Sequence, residues 1–492
     1  MRTILVLMDT LRKDYLKSYN TNSTVKTPNI DEFSKDAVTF ENHYIGSTPC
    51  MPARRDILTG RLNFLERSWG PVEPFDITFP KLLNSNGIFS HLATDHTHYF
   101  RLGGEGYINQ YNSWDFQRGQ EGDPFHSLIR DPEWMPEHYN GKLRKQYQAN
   151  REKWYENENE YPTPRTFSSA CEWLEENYEE EDFFLQVEVF DPHEPFDVPQ
   201  KYMDMYEQGY QGDFFETPLY GDVDVSPEAV EYIRNRYSAL MTMTDHHFGK
   251  LIEKLKKLSI YEDTLIILTS DHGYFLGDRD LFGKNYMHNF NELAAIPLFV
   301  KLPNNEMAGE RNDSLTQNID IMPTLLDYYD IRIPEEVQGV SMKPLFENLP
   351  REKYYALYGA HGITVNITDG RYTYFRAPNS ENQPLYEYAA IPTTIRHYLG
   401  EQDPLSIETG RFLKRTDYPV YKVPIKQAAI LDGLGDMSAY TSYNLLFDLI
   451  NDPQQNEPIQ DGILEEKLIE DLKEQLKKLD APKEQFKRLN LE

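Results

Sequence analysis

The chain has 492 residues, 39% hydrophobic, 13% aromatic and 26% charged. That is the composition of a folded globule, and it excludes disordered, collagenous and coiled-coil chains. Lys and Arg number 50 against 80 Asp and Glu, a formal charge of −30, so the surface repels nucleic-acid phosphates and an anionic substrate needs a locally positive pocket.

At roughly 150 residues per domain the length allows about three domains, which large α/β enzymes often fuse into one body with an appendage. The first apolar run, 4–8, follows a single basic residue, Arg2, and stops at Asp9. It lacks the apolar core and small-residue cleavage site of a signal peptide, so it reads as the first strand of a cytoplasmic protein. A helical segment follows at 28–37. Pro52 then suits the first turn of a helix running to about Leu58, with Gly60 as its stop, which places Cys50 just before a helix N-terminus. The helix dipole and free amides there favour an anion, and Arg54 lies one turn on. Further apolar runs occur at 87–94, 183–190, 264–269 and 296–300, with helical segments at 166–178 and 227–257. Continuous rather than alternating apolar runs mark strands buried on both faces, as in a parallel sheet. The alternation predicts an α/β fold, a large, mostly parallel central sheet flanked by helices. From about Tyr372 the pattern changes to aromatic-rich, more alternating stretches and a charged helix near 463–479, so residues 1–371 are expected to form a catalytic domain and 372–492 a smaller C-terminal α+β subdomain. The only cysteines, Cys50 and Cys171, exclude a disulfide framework and a Cys-rich zinc site. No apolar run reaches the roughly 18 residues of a membrane span.

Four of the apolar runs end in polar clusters: Asp9; Asp95-His96-Thr97-His98; Asp191-Pro192-His193; and Ser270-Asp271-His272-Gly273. In open α/β sheets ligands sit beyond the carboxyl ends of the strands, so parallel strands would gather all four on one edge. Asp and His also cap the turns that follow strands, but four such clusters together favour a shared site.

Cys50-x-Pro52-x-Arg54 followed by Thr59-Gly60 resembles the signature of the type I sulfatases, in the alkaline phosphatase superfamily. Supporting segments are Thr27-Pro28-Asn29, Ser270-Asp271-His272-Gly273, Asp320-Ile321-Met322-Pro323-Thr324 and Leu446-Phe447-Asp448-Leu449. The resemblance implies a metal-dependent hydrolase of sulfate esters whose nucleophile is formylglycine made from Cys50. It implies one divalent cation held by Asp9, Asp271, His272 and residue 50. Arg54 would pin residue 50, His193 would serve the leaving oxygen, and Lys284, twelve residues after His272, would neutralise a sulfuryl oxygen. His96 and His98 sit where the family contacts the transferred group. Two departures stand out: Asp9-Thr10 and Asp271-His272, where many sulfatases carry Asp-Asp and Asp-Asn. A nitrogen ligand in place of a carboxylate or amide oxygen shifts preference from calcium towards manganese or zinc. The pattern also resembles the phosphonate monoester and phosphodiester hydrolases, which share the machinery, and a catalytically silent anion-binding relative is a third reading. The implied partners are a small anionic substrate, sulfated saccharides among the choices, and a formylglycine-generating enzyme; neither nucleic acid nor membrane is expected.

Overall fold

A computed structural model describes residues 1–126, 129–130, 147, 149–151, 155–206, 209–212, 216–352, 355–399, 406–426 and 440–492. Its centre is an eight-stranded sheet. In chain order the strands are β1 (Arg2–Met8), β2 (Val38–Tyr44), β3 (Phe89–Thr94), β4 (Ser113–Phe116), β5 (Phe183–Val189), β6 (Thr264–Ser270), β7 (Leu298–Lys301) and β8 (Arg311–Gln317). Their spatial order is β8-β2-β7-β6-β1-β5-β3-β4. The run β6-β1-β5-β3-β4 is parallel throughout, whereas β7 is antiparallel to both neighbours. The fold class is therefore the expected one, with one reversed strand that periodicity cannot reveal.

Both faces of the central strands are buried, as the unbroken apolar runs require. Ile4, Val6 and Met8 face one apolar cluster, shared with helices α1 (Pro28–Asp36), α3 (Pro162–Asn177) and α4 (Pro227–Lys257). Leu5 and Leu7 face the other, where helix α2 (Cys50–Thr59) contributes Met51, Ile57 and Leu58. Helix α3 begins four residues earlier than the apolar pattern suggests, because Pro162 suits its first turn. Strand β2, VTFENHY, escapes a pattern search because its second half is polar. Its buried His43 is satisfied instead by Thr316 and Asn318, at 2.9 and 3.1 Å.

The register positions the site. Met8 pairs with Val189 on one side and Ser270 on the other, so Asp9, Phe190 and Asp271 leave the sheet at one level. A second, five-stranded sheet joins Ser47–Thr48 to Ala356–Ala360, Val365–Thr368, Tyr372–Arg376 and Leu445–Asp448. Helix α5 (Gly462–Lys478) covers it with Leu468, Leu472 and Leu476. Because Ser47 and Thr48 pair with Gly359 and Ala360, the later part of the chain is hydrogen-bonded to the segment that leads directly into Cys50. Among the described residues no helix is long and apolar enough to cross a membrane.

Candidate active site

Cys50 opens helix α2 and is buried. Gly60 ends the helix at φ 63°, a left-handed conformation that suits glycine, and its N–H donates to the Asp56 carbonyl at 2.8 Å. The Asp56 carboxylate fastens the segment entering the helix: it accepts from the Ser47 amide (2.6 Å) and hydroxyl (2.9 Å) and from the Asn63 amide (2.9 Å) and side chain (2.8 Å). Residue 50 is thus held from both sides.

One ligand atom each from Asp9, Cys50, Asp271 and His272 falls within a cluster in which all lie within 4.8 Å of one another. The Cys50 sulfur is 3.2 Å from His272 Nε2, which is 3.3 Å from Asp271 Oδ2 and 4.0 Å from Asp9 Oδ1. His272 Nδ1 lies 2.9 Å from the Gly273 carbonyl. That acceptor assigns the proton to Nδ1 and leaves the Nε2 lone pair facing the cluster, the tautomer a metal ligand requires. Lys284 Nζ is 4.0 Å from Asp9 Oδ1 and donates to the Thr10 hydroxyl at 3.5 Å. Arg54 binds three carboxylates at once: Asp9 at 2.9 Å, Asp271 at 2.6 Å and Glu188 at 2.7 Å. It also donates to the Cys50 carbonyl at 3.1 Å.

The structure brings His193 and His96 to the same locale by different routes. His193 Nδ1 lies 2.5 Å from the Glu194 carbonyl and 3.1 Å from the Glu194 carboxylate, so Nε2 is the nitrogen available to a substrate. His96 Nε2 is 3.4 Å from the sulfur of Met51, the neighbour of Cys50. His98 stands further out, with its ring centre 4.9 Å from that of His96 and 4.9 Å from that of Trp69.

The electrostatics follow from burial against charge. Burial alone would raise the Asp9 carboxyl, yet the charges of Arg54 and Lys284 hold it well below the usual carboxylate value. Burial, then the Asp9 carboxylate, push the Cys50 thiol well above its ordinary value, so an unmodified Cys50 is a thiol and a poor nucleophile near neutral pH. Burial opposes charge on Lys284, but the acids around it, Glu194, Asp9 and Asp271, raise its pKa, and it stays an ammonium. Burial, aided by the Lys284 charge, keeps His193 neutral. Arg54 and Lys284 supply two positive charges against the three carboxylates of Asp9, Asp271 and Glu188. A divalent cation fits that surplus negative charge and the donor set of carboxylates and imidazole nitrogen.

Sequence reasoning missed three participants. Thr10 sits at φ 68°, a strained conformation for a β-branched residue, donates its hydroxyl to Asp9 Oδ1 at 2.6 Å and its amide to Asp271 Oδ1 at 3.0 Å. Glu188 anchors the far side of Arg54, and Tyr99 donates to it at 2.9 Å. A signal for Glu188 was available: an acid inside a strand buried on both faces demands a cationic partner.

Asp191 precedes His193 and accepts from Gln120 at 2.9 Å. Burial pushes its carboxyl up to about 7. The folded protein therefore keeps a proton that the unfolded chain releases near pH 4. The associated stability is complete below that pH and is lost as pH rises to about 7. Asp191→Asn should remove this loss, so the variant gains on wild type by roughly 1–3 kcal/mol between pH 5 and 8. Urea unfolding at the two pH values checks it, and a constant difference would exclude Asp191 as the source.

The family described as Sulfatase matches residues 2–331. The chain belongs to the sulfatase family. It is a sulfuric ester hydrolase of the alkaline phosphatase superfamily. The family described as N-sulphoglucosamine sulphohydrolase, C-terminal, matches residues 277–403. The arylsulfatase of Clostridium perfringens is 26% identical over 402 residues, 73% of this chain and 81% of that protein. The N-acetylglucosamine-6-O-sulfatase of Bacteroides thetaiotaomicron is 25% identical over 402 residues, 70% of each chain. The phosphonate monoester hydrolase of Agrobacterium radiobacter shares the fold, with a TM-score of 0.66 and 18% identity over 98% of this chain and 95% of the other.

Proposed function

We propose that this sulfatase works through formylglycine made from Cys50 and one divalent cation held by Asp9, Asp271, His272 and residue 50. The observation that carries the reading is the cluster of those four side chains at the start of helix α2, with Arg54 tied to Asp9 and Asp271. Oxidation of the thiol to the hydrated aldehyde supplies one hydroxyl for attack at sulfur and a second to expel sulfate afterwards. The cation supplies Lewis-acid charge beside that hydroxyl. The single Asp9 and the imidazole of His272 favour manganese or zinc over calcium. Arg54 fixes residue 50 by gripping its carbonyl and orients both metal-facing carboxylates. Lys284 balances charge on a sulfuryl oxygen, and His193, with Nδ1 held at the Glu194 carbonyl, turns Nε2 towards the leaving oxygen, which it would serve as an acid once that nitrogen has taken up the proton given up by the attacking hydroxyl.

A sulfated mono- or disaccharide is the substrate class we favour, supported by the likeness to an N-acetylglucosamine-6-O-sulfatase. We assign residues 372–492 to a subdomain that shapes leaving-group specificity, and the site of action to the cytoplasm. A second reading keeps the machinery and takes phosphonate monoesters or phosphodiesters. The Asp9-Thr10 and Asp271-His272 pairs favour it, because a single aspartate followed by an Asp-His pair resembles the pattern of those hydrolases. A chromogenic panel of sulfate, phosphodiester and phosphonate substrates decides between them. Higher kcat/KM on the diester than on every sulfate would overturn the first choice.

Two substitutions test the roles. Asp271→Ala should leave the purified protein without its bound metal and inactive; metal content equal to wild type would remove Asp271 from the ligand set. Lys284→Ala should lower kcat/KM about 10²–10³-fold, the usual cost of deleting one transition-state charge partner. Unchanged kinetics would take Lys284 out of the site.

A further inference from the structure

Next to His96, Trp69, His98, Arg101, Glu121 and Arg396 meet. The Arg396 guanidinium lies 4.3 Å from the Trp69 ring centre, and the Trp69 ring is 4.9 Å from that of His98. His98 Nε2 and Arg101 both approach Glu121 Oε2, at 3.7 and 3.6 Å. His98 is 3% exposed, yet both its ring nitrogens lack a hydrogen-bond partner, as does Glu121 Oε2. Buried polar atoms left in that state want a polar ligand. Arg396 reaches solvent yet is surrounded by enough protein that burial lowers its pKa, and among the described residues no carboxylate lies within ion-pair distance of it. Glu121 is thus paired with Arg101 and His98, and the Arg396 guanidinium is left as a positive charge without an acid partner among the described residues of a strongly acidic protein. The group adjoins the site through His98, whose ring centre is 4.9 Å from that of His96, the histidine that reaches the sulfur of Met51 beside Cys50.

The loop that carries Arg396 is built rather than loose. Buried Arg67, paired with Glu73, donates to the Ile391 carbonyl at 3.1 Å and to the Thr393 carbonyl, while Glu73 accepts from the amides of Ala390 (3.1 Å) and Ile391 (2.9 Å). The Thr393 hydroxyl reaches the Leu102 carbonyl at 3.3 Å, tying this loop to the segment that follows His98 and Arg101. Ile395, wholly buried, holds φ 68°, a conformation that β-branched residues rarely adopt. Strain of this kind persists where the surroundings over-determine it, and it is common at ligand clamps. Its effect here is to set the direction in which Arg396 leaves the backbone.

We infer that Arg396, with Arg101 and His98 beside it, forms a second anion subsite that takes a carboxylate or a second sulfate carried on the leaving group. The inference rests on the sulfatase reading and extends it: the preferred substrate is doubly anionic, one group placed at residue 50 and the other at Arg396. The acidic surface elsewhere repels such a substrate, so this local charge decides which sulfate esters are accepted.

The test compares 4-nitrophenyl sulfate with two analogues, one bearing a ring carboxylate and one a second sulfate. In wild type both analogues should show the higher kcat/KM, mainly through KM, and the larger gain names the natural second group. In Arg396→Ala the ratio of analogue to parent should fall about tenfold, in Arg396→Glu further, and Arg396→Lys should restore part of it. An unchanged ratio overturns the subsite, and so does an equal fall in Arg396→Lys and Arg396→Ala, because that would mark a packing role against Trp69. Calorimetric binding of the nitrophenol products, with and without the carboxylate, keeps the two claims apart. If wild type cleaves neither sulfate, the hydrolase reading fails, yet tighter binding of the carboxylated product that Arg396→Ala abolishes still upholds the subsite. Equal binding of both products removes it.

Discussion

Replacement of Cys50 by alanine, in protein co-expressed with a formylglycine-generating enzyme, is expected to lower kcat about a millionfold, the scale seen when a covalent nucleophile is deleted. The expectation comes from the environment of residue 50. Burial and the Asp9 carboxylate keep the thiol protonated, so the unmodified side chain has little nucleophilic character, and nothing else at the start of helix α2 can take its place. Cys50→Ser should be nearly as inactive, because a single hydroxyl can attack sulfur but has no second oxygen to expel sulfate. It should instead trap a stoichiometric covalent adduct, visible in the intact mass. Activity in Cys50→Ala within tenfold of wild type would end the covalent mechanism. An unmodified cysteine in fully active protein, read from the peptide spanning residue 50, would do the same.

Arg54→Ala should be the most damaging substitution for the fold. Arg54 is buried and bound to three buried carboxylates, Asp9, Glu188 and Asp271. Removing one partner of a buried ionic group costs about 3–5 kcal/mol, because the remaining charges stay in low dielectric without compensation. Arg54→Lys keeps the charge but cannot reach three acids from one planar fork, so it should recover only part of the loss. Adding Glu188→Gln to Arg54→Ala removes one orphaned acid, and the double variant should be more stable than Arg54→Ala alone. Chemical unfolding in the presence and absence of added manganese measures all of this. A divalent cation should rescue Arg54→Ala more than wild type, since it supplies the positive charge that Asp9 and Asp271 have lost. Near-wild-type stability of metal-free Arg54→Ala would show that the arginine is not the electrostatic centre of the site.

Much of the site could be read along the chain because its parts follow short signals. Asp9 and the Asp271-His272 pair end apolar runs, and Cys50 to Arg54 lie within one helical turn before a glycine stop. Those features are local, and local chemistry explains them. In the sequence Thr10 shows only as a missing carboxylate, since its left-handed backbone depends on what packs around it. Tyr99 carries no pattern of its own; only the folded chain sets its hydroxyl on Glu188. The antiparallel direction of β7 was equally invisible, because an apolar run reads the same either way.

From residue order alone came the layered α/β class, the family motif and the set of side chains that a metal and an oxidised cysteine would use, because each depends on neighbours a few positions apart. Tertiary structure alone decided that Arg54 is shared among three acids carried by three neighbouring strands, and that Arg396 from the distant C-terminal segment stands over Trp69. These are contacts between positions tens to hundreds of residues apart, created by strand register and loop anchoring, and no local pattern encodes them.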